Sequence, residues 1–403
     1  MTAPTALISG AGIAGSAAAY WLRRAGCDVT VVERANVPRR GGQTVDLRGA
    51  GRTVARRMDV FDEIVARSVE QRGLAVVDDD GRVRASLQVD AFDGNGMVSE
   101  IEILRGDLAD VLLAAAADDV EFVWGDSVVA LTEHAGGVTV EFERSPARTF
   151  DLVIGADGTH SAVRAAAFGP ETRFLRPLGG YQAWFTAPAA PELDGWYLMH
   201  RAPGGLVSSL RPGRLPGETK ASLGFAGGPV DVDRRDGAAV RALLRERFAG
   251  VTGWKVPWLL DAADAAPDLV FDSIDQVRMD RWTIGRVALV GDAACSPSSL
   301  TGMGTCMAVV GAYVLAGELG RARHDHRAAF ARYEEIMQPY VAQAQELPPG
   351  GMAGYAPRSR FGITLSTLSM RSMTRWPVRA IAARFFAKAD AIDLPDYTAD
   401  RAG

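Results

Sequence analysis

The sequence predicts an α/β protein: a domain of buried parallel strands, an antiparallel-sheet lobe inserted into it, and a helical C-terminal segment. Three observations carry this. Residues 5–34 read strand, glycine turn, helix, strand, acid. Three separate apolar runs end in an acid, at Glu33, Asp157 and Asp292. Between about 176 and 275 the chain turns to Gly, Pro and aromatic residues in short alternating runs, as antiparallel strands do.

Thr5-Ala6-Leu7-Ile8-Ser9 lacks polar alternation, the mark of a strand buried on both faces. Gly10-Ala11-Gly12-Ile13-Ala14-Gly15 follows, then an Ala-rich, helix-favouring run that Gly26 stops. Gly10 suits a tight turn, Gly12 a close approach of backbone to pyrophosphate, and Gly15 close packing of helix on strand. The helix start offers free amides and a positive dipole to phosphate. Glu33 closes the second strand 23 residues after Gly10, where a carboxylate meets ribose hydroxyls. This is a Rossmann-type dinucleotide site, and the motif alone does not separate NAD from FAD.

The chain of 403 residues has room for two or three lobes, and 48% hydrophobic with 23% charged residues is the balance of a globular protein. A net charge of −5 argues against a nucleic-acid surface. Cys27, Cys295 and Cys306 have neither metal-ligand nor disulfide spacing, which suits a reducing cytoplasm. His324-Asp325-His326 is too local for a metal site, so no metal is expected. No basic region precedes the first apolar run, so no signal peptide is expected. No run reaches the ~18 apolar residues of a membrane span.

Beyond Glu33-Arg34, the glycine-rich, basic stretch from Pro38 through Arg39 and Arg40 to Gly49 reads as a loop, and it holds Asp46 and Arg48. One amphipathic helix is expected over 54–65, then short strands over 74–104 with turns at Asp78–Gly81 and Asp93–Gly96. Leu104-Arg105-Gly106-Asp107-Leu108 opens a helix. Strands near 120–124, 128–132 and 138–143 lead to the buried strand that ends in Gly155-Ala156-Asp157-Gly158. The lobe at 176–275 clusters Tyr181, Trp184, Phe185, Trp196, Tyr197, Phe225, Trp254 and Trp258, with one helix at 238–248. A last buried strand ends in Gly291-Asp292, and a loop with Pro297, Gly302 and Gly304 leads into a long helix. After the Pro-Pro-Gly break at 348–350 the chain is helical to about 389, with Arg371, Arg375 and Arg379 on one face. Docking on the body of the protein is the expected role, and lying on a membrane surface the lesser alternative. Ligands bind at the carboxyl ends of parallel strands, so three acids there can address one long ligand, which favours FAD over NAD.

In these motifs the chain resembles the single-component (class A) flavin-dependent aromatic monooxygenases with the para-hydroxybenzoate hydroxylase fold. The matches are Gly10-x-Gly12-x-x-Gly15 with Glu33-Arg34, Gly155-Ala156-Asp157-Gly158-x-x-Ser161-x-Val163-Arg164, and Gly291-Asp292-Ala293-Ala294 leading to Pro297 and Gly302-x-Gly304, within residues 1–345. Gly42–Leu47 and Leu104–Leu108 are most similar to the tetracycline-inactivating monooxygenases and their actinobacterial relatives. The resemblance implies a Rossmann-type FAD-binding domain from 1–73, 101–175 and 276–345, a substrate-binding domain from 74–100 and 176–275, and a C-terminal helical segment at 346–403. It implies that Gly10, Gly12, Ala14, Gly15, Glu33 and Arg34 hold the ADP half of FAD. Arg105 and Asp292 would meet the ribityl–phosphate region, Asp46 and Arg48 would also bind the cofactor, and Pro297, Gly302, Met303 and Gly304 would meet the isoalloxazine. Asp157 would belong to the family's motif for both flavin and nicotinamide. Two positions depart from the pattern: Cys295 stands where His is usual and Cys306 where Asn is frequent.

The implied reaction is an NAD(P)H- and O2-dependent hydroxylation of an aromatic or polyketide-like small molecule through a flavin C4a-hydroperoxide, in the cytoplasm, by a monomer or homodimer. NAD(P)H would bind transiently as reductant. Gln182, Trp184, His200 and Phe225 are the candidates for the substrate pocket, and no residue pattern names a catalytic base. Alkene epoxidation, halogenation and prenyl-chain reduction are the alternatives, and Trp254-Lys255-Val256-Pro257-Trp258 only superficially matches a halogenase Trp-x-Trp-x-Ile-Pro stretch.

Overall fold

The computed structural model describes residues 3–397 apart from Arg39, Arg40, Asp93, Asn95 and Pro216. The basic pair of the first predicted loop, two positions of the second predicted turn and the last six residues therefore lie outside the described residues. A six-stranded sheet runs Thr283–Ile284, Val287–Leu289, Leu152–Gly155, Thr5–Ser9, Asp28–Glu33, Val120–Trp124. It is parallel except at its Thr283–Ile284 edge. Leu7, Ile8, Val31, Val153, Ile154 and Leu289 are fully buried, because helices pack on the sheet and a three-stranded antiparallel sheet of Val128–His134, Gly137–Phe142 and Arg148–Phe150 joins the same core through Val138, Val140 and Phe150. Helices Ile13–Arg24 and Gly304–Arg321 pack against each other on it.

A second sheet of seven strands runs Val270–Val277, Leu175–Ala187, Thr219–Ala226, Leu206–Pro212, Trp196–Ala202, Gly73–Val77, Val83–Gln88. It is antiparallel as expected, except that Trp196–Ala202 pairs parallel with Gly73–Val77, where the two sequence-distant parts of the lobe meet. Its outer face is covered by helix Gly237–Phe248 and by a second helix, Val256–Ala265, which the sequence reading did not include. Pro257 sits in the first turn of that helix, where a missing N–H costs nothing.

Three further expectations change. Thr44–Asp46, read as loop, is a short strand paired with Glu102–Leu104. The single helix over 54–65 is two, Gly49–Arg57 and Phe61–Ala66, broken where Asp59 takes φ 58°. The Asp78–Gly81 turn closes a hairpin, whereas the strand after the second turn pairs away from Val83–Gln88. The C-terminal segment is helical at Gly351–Tyr355, Arg360–Ser372 and Val378–Phe386. Arg371, Arg375 and Arg379 therefore do not share one helix face, since Arg375 falls in the break. The segment docks on the protein as expected: Arg360–Ser372 lies on Val83–Gln88 and Trp196–Ala202. Among the described residues, no helix is long and apolar enough to cross a membrane.

Candidate functional site

The phosphate turn is built by steric exclusion. Gly10 has φ 102°, and a Cβ there would lie 2.7 Å from the Ala156 carbonyl oxygen, so the first and second motifs touch backbone to backbone. At Gly12 a Cβ would meet nothing within 4 Å, which leaves the backbone open to a ligand. Helix Ile13–Arg24 starts at Gly12 with no side-chain cap and no acid in its first turn, so its leading amides face that opening. Glu33 braces the turn: one carboxylate oxygen accepts from the Ala11 amide at 2.9 Å, the other from Ala35 at 2.8 Å. Arg34 is exposed beside it.

The three acids do different things. Asp157 is committed to its own loop, accepting from the amides of Ala162 (2.8 Å) and Val163 (3.1 Å), from Ser9 Oγ (3.4 Å) and from Ser161 Oγ. It shapes the second motif rather than reaching outward. Asp292 is turned toward Gly304, where a Cβ would stand 3.7 Å from its Oδ1. Burial raises the Asp292 carboxyl above the usual carboxylate range, against the opposing pull of the Arg105 guanidinium. A Cβ on Gly291 would lie 2.7 Å from the Ala14 Cβ, so the third motif packs directly on the first helix.

The loop from Ser296 to Gly304 is held from below. Gln276 Nε2 donates to the Pro297 and Gln345 carbonyls at 3.0 and 2.8 Å. Gln345 Nε2 donates to Val277 at 2.7 Å and to Ser296 at 3.5 Å. Ser298 is held at φ 82°, a region a non-glycine residue enters only under constraint. Helix Gly304–Arg321 then begins behind buried Met303, again without a side-chain cap or an acid in its first turn. Asp46 and Arg48, paired at 2.9 Å, lie against Gly302, whose absent Cβ would sit 2.7 Å from Asp46 Oδ2. Arg105 joins the same edge through its amide, which donates to Gln43 at 2.9 Å. Behind them Glu102 is buried, paired with Arg211 and accepting from Gln71 Nε2 at 2.6 Å. Burial pushes its carboxyl up to about 7, with Arg211 pulling the other way.

Strand alternation sorts the four pocket candidates into two faces. Gln182 and Trp184 lie on the sheet face turned to the first domain, and Gln182 Nε2 donates to Ser222 Oγ at 3.0 Å. Ser209 Oγ continues the chain at 2.6 Å from Ser222 Oγ. Phe225 and His200 lie on the opposite face. Phe225 stacks with Tyr181 and Phe271 under the helical layer. His200 is bridged to Asp79 (2.9 Å) and Ser208 (3.2 Å) and stacks on Trp254. Phe225 packs into the core of the lobe with the helical layer, and both residues lie on the face away from Gln182 and Trp184. The face turned inward carries a polar group of Gln182, Ser209, Ser222, Lys220 and Arg211 beside the apolar Met199, Val207, Leu74 and Val76, with Lys220 Nζ 3.8 Å from the Cβ position of Gly41. Arg201 shares that face. It donates to Ser366 Oγ at 3.1 Å, its Nε has no partner among the described residues, and burial lowers its pKa.

Arg201, Ser209, Ser222, Gln276 and Gln345 were not among the sequence candidates. The polar-every-second pattern of Ser209-Leu210-Arg211 and Lys220-Ala221-Ser222 carried the signal for Ser209 and Ser222. From the C-terminal segment Met352 reaches Gly180, and Tyr355 Oη lies 3.5 Å from the Cβ position of Gly224. Cys295 and Cys306 are buried thiols occupied with the carbonyls of Gly291 and Arg48. Burial pushes both pKa values up, that of Cys306 to about 11, which argues against a redox pair.

Open backbone at Gly12, two uncapped helix starts and a deep acid beside an arginine fit the phosphates, hydroxyls and ring of FAD. Residues 3–346 match the FAD binding domain family. A flavin-dependent monooxygenase from an unknown prokaryotic organism is 40% identical over 343 residues, covering 84% of this chain and 87% of its own. The crystal structure of tetracycline destructase Tet(55) is similar at TM-score 0.81 and 34% identity, covering 98% of this chain and 99% of its own. Klebsiella pneumoniae HpxO, complexed with FAD and uric acid, shares the fold at TM-score 0.77 and 23% identity, covering 97% and 98%.

Proposed function

The chain belongs to the FAD binding domain family and is an FAD-dependent monooxygenase of the class A type, and from that premise we propose that it uses NAD(P)H and O2 to hydroxylate an oxygen-rich aromatic or polyketide-like small molecule. The observation that carries this reading is the polar group of Gln182, Ser209, Ser222 and Arg201 on one sheet face. Bound FAD supplies the redox chemistry, taking two electrons from NAD(P)H and delivering one atom of O2 to the substrate while the other leaves as water.

This chain's residues do the rest. Gly10, Gly12, Ala14, Gly15, Glu33 and Arg34 hold the ADP half. Arg105 and Asp292 would serve the ribityl–phosphate region with Asp46 and Arg48 beside the same loop, and the Pro297–Gly304 loop with Met303 would face the ring. The free amides at the start of helix Gly304–Arg321 would favour negative charge on a ring bound there. Gln182 and Ser222 orient substrate oxygens, and Trp184 flanks them. Arg201 pairs with a phenolate or enolate oxygen, so the substrate carbon is electron-rich without a protein base. The similarity to a tetracycline destructase supports a polycyclic substrate. Three unpaired thiols and the need for NAD(P)H support a cytoplasmic setting.

Purified protein tests both layers. A yellow preparation bleached by NADPH without air and recoloured by air is expected. A panel of phenols and polyketides should then include compounds that accelerate NADPH oxidation with matching oxygenated product. A colourless protein unable to take up FAD rejects the reading, and peroxide as the sole product across the panel rejects the substrate class.

A further inference from the structure

The outer side of the C-terminal segment carries a surface that the monooxygenase reaction does not use. Helix Arg360–Ser372 buries one face: Met370 joins the core of the second lobe, and Ser366 accepts from Arg201. Its opposite face presents Phe361, Leu365 and Leu368, at the i, i+4, i+7 spacing of one helical stripe. They are 77%, 56% and 59% exposed. Trp376, in the break before helix Val378–Phe386, is 87% exposed, and Ile381 within that helix 66%. A single exposed apolar residue needs no account, but five large ones within 21 consecutive residues do.

The charge around them is one-sided. Residues 347–389 hold seven of the chain's 44 basic residues and none of its 49 acidic ones, which leaves the rest of the chain at −12. Arg358, Arg360, Arg371, Arg375, Arg379 and Arg384 are all exposed. Among the described residues none of these six has a carboxylate within 4.0 Å, whereas Lys388 pairs with Glu346 at 2.6 Å. On helix Arg360–Ser372, Arg360 and Arg371 line one edge of the apolar stripe.

A second copy of the chain does not match this face, since two such surfaces bring arginines together with no acids between them. An apolar stripe bordered by unpaired arginines, with an exposed tryptophan, has the chemistry of a helix lying in a lipid headgroup layer. We propose that the outer face of residues 358–384 docks the protein on a bilayer surface rich in anionic lipid. Phe361, Leu365, Leu368, Trp376 and Ile381 enter the headgroup–acyl boundary, and the six arginines meet lipid phosphates. No described helix crosses a membrane, so the association is peripheral and reversible.

Flotation of the full, flavin-loaded chain with vesicles of phosphatidylcholine, with and without phosphatidylglycerol, tests this. Binding to anionic vesicles should exceed that to phosphatidylcholine at least ~10-fold, since several bases each strengthen it, and should weaken with salt. L365S/L368S and R371E/R375E should each reduce flotation ~10-fold or more while leaving the flavin spectrum unchanged, because these side chains point outward. Tryptophan emission should shift to the blue on adding anionic vesicles, and W376F should lose that shift. No flotation with anionic vesicles at low salt overturns the proposal, as does flotation that both double variants retain. So does a wild-type dimer that these substitutions dissociate without any vesicle binding, or binding to polyglutamate but not to vesicles.

Discussion

At the scale of single residues, Glu33 and Glu102 show how a carboxylate's surroundings decide its work. Glu33 spends both oxygens on the Ala11 and Ala35 amides, so it holds the phosphate turn in shape before any ligand arrives. Glu33→Ala removes two charge-assisted bonds and should weaken FAD binding by about 10- to 100-fold, the effect of ~1.5–3 kcal/mol. Quenching of flavin fluorescence on titrating apoprotein measures it, and an unchanged affinity would show that the turn stands by itself. Glu102 behaves differently, because burial raises its carboxyl from 4.5 to about 7. A raised carboxylate pKa means that the folded state prefers the proton. Its contribution to stability is complete below the unfolded value and is lost as pH rises through about 7. Relative to E102Q, which stays neutral, the wild type should lose about 2 kcal/mol between pH 5 and 8. Urea unfolding of both proteins across that range checks the sign, and parallel curves would mean that Arg211 cancels the cost of burial.

At the scale of elements, what the sequence made legible follows from local periodicity. The buried strands ending at Ser9, Glu33, Gly155 and Leu289 are short apolar runs with glycine or an acid at or just beyond their ends, a signal that needs no partner to be recognised. The helix at Val256–Ala265 was hidden by a proline and two tryptophans, which locally suggest a break. The two faces of the second sheet were also hidden. Trp184 and Phe225 look alike in sequence, and only pairing register assigns them to opposite sides. The Gln276–Gln345 clasp was invisible for a related reason, since its members are 69 residues apart and bond to backbone carbonyls. That clasp ties the ends of strand Val270–Val277 and helix His326–Ala344 to the loop expected at the flavin ring. Gln345→Leu leaves the Val277 and Ser296 carbonyls short of a donor in a buried place. It should cost about 2–3 kcal/mol and speed flavin release. Urea midpoints together with flavin release on dilution test this, and a variant that loses stability but holds flavin as before would separate the clasp from the site.

At the scale of the whole molecule, the C-terminal segment is a strap that begins and ends on the first domain. It leaves at Gln345, touches the second lobe through Met352 at Gly180 and Tyr355 at Gly224, and lays Arg360–Ser372 along that lobe's edge. Phe386 meets Phe92, and the chain then returns to the first domain, where Tyr340 Oη donates to the Ala389 carbonyl at 3.2 Å. The far end is anchored by Tyr397, whose ring covers Gly317, packs on Tyr313 and lies under the Arg321 guanidinium. Its hydroxyl donates to buried Glu318 at 2.7 Å. Nothing in residues 390–397 is periodic, so no local pattern announces this anchor. Gly317 is the residue that makes room for it. Because one ring closes a strap that touches both lobes, its loss should register as global instability rather than local fraying. Tyr397→Phe takes from Glu318 the shorter of its two donors, leaving Arg321 at 3.3 Å, and should cost about 1–2 kcal/mol, while Tyr397→Ala, which also empties the space over Gly317, should cost about 3–4 kcal/mol. Two-probe denaturation, following flavin fluorescence for the first domain and circular dichroism for the whole chain, distinguishes the cases. Coincident transitions shifted together are the expected result; an Ala variant whose midpoint matches the wild type would show that the strap is held by its other contacts, among them the Ala389 and Pro395 carbonyls bonded to Tyr340, Arg57 and Tyr313.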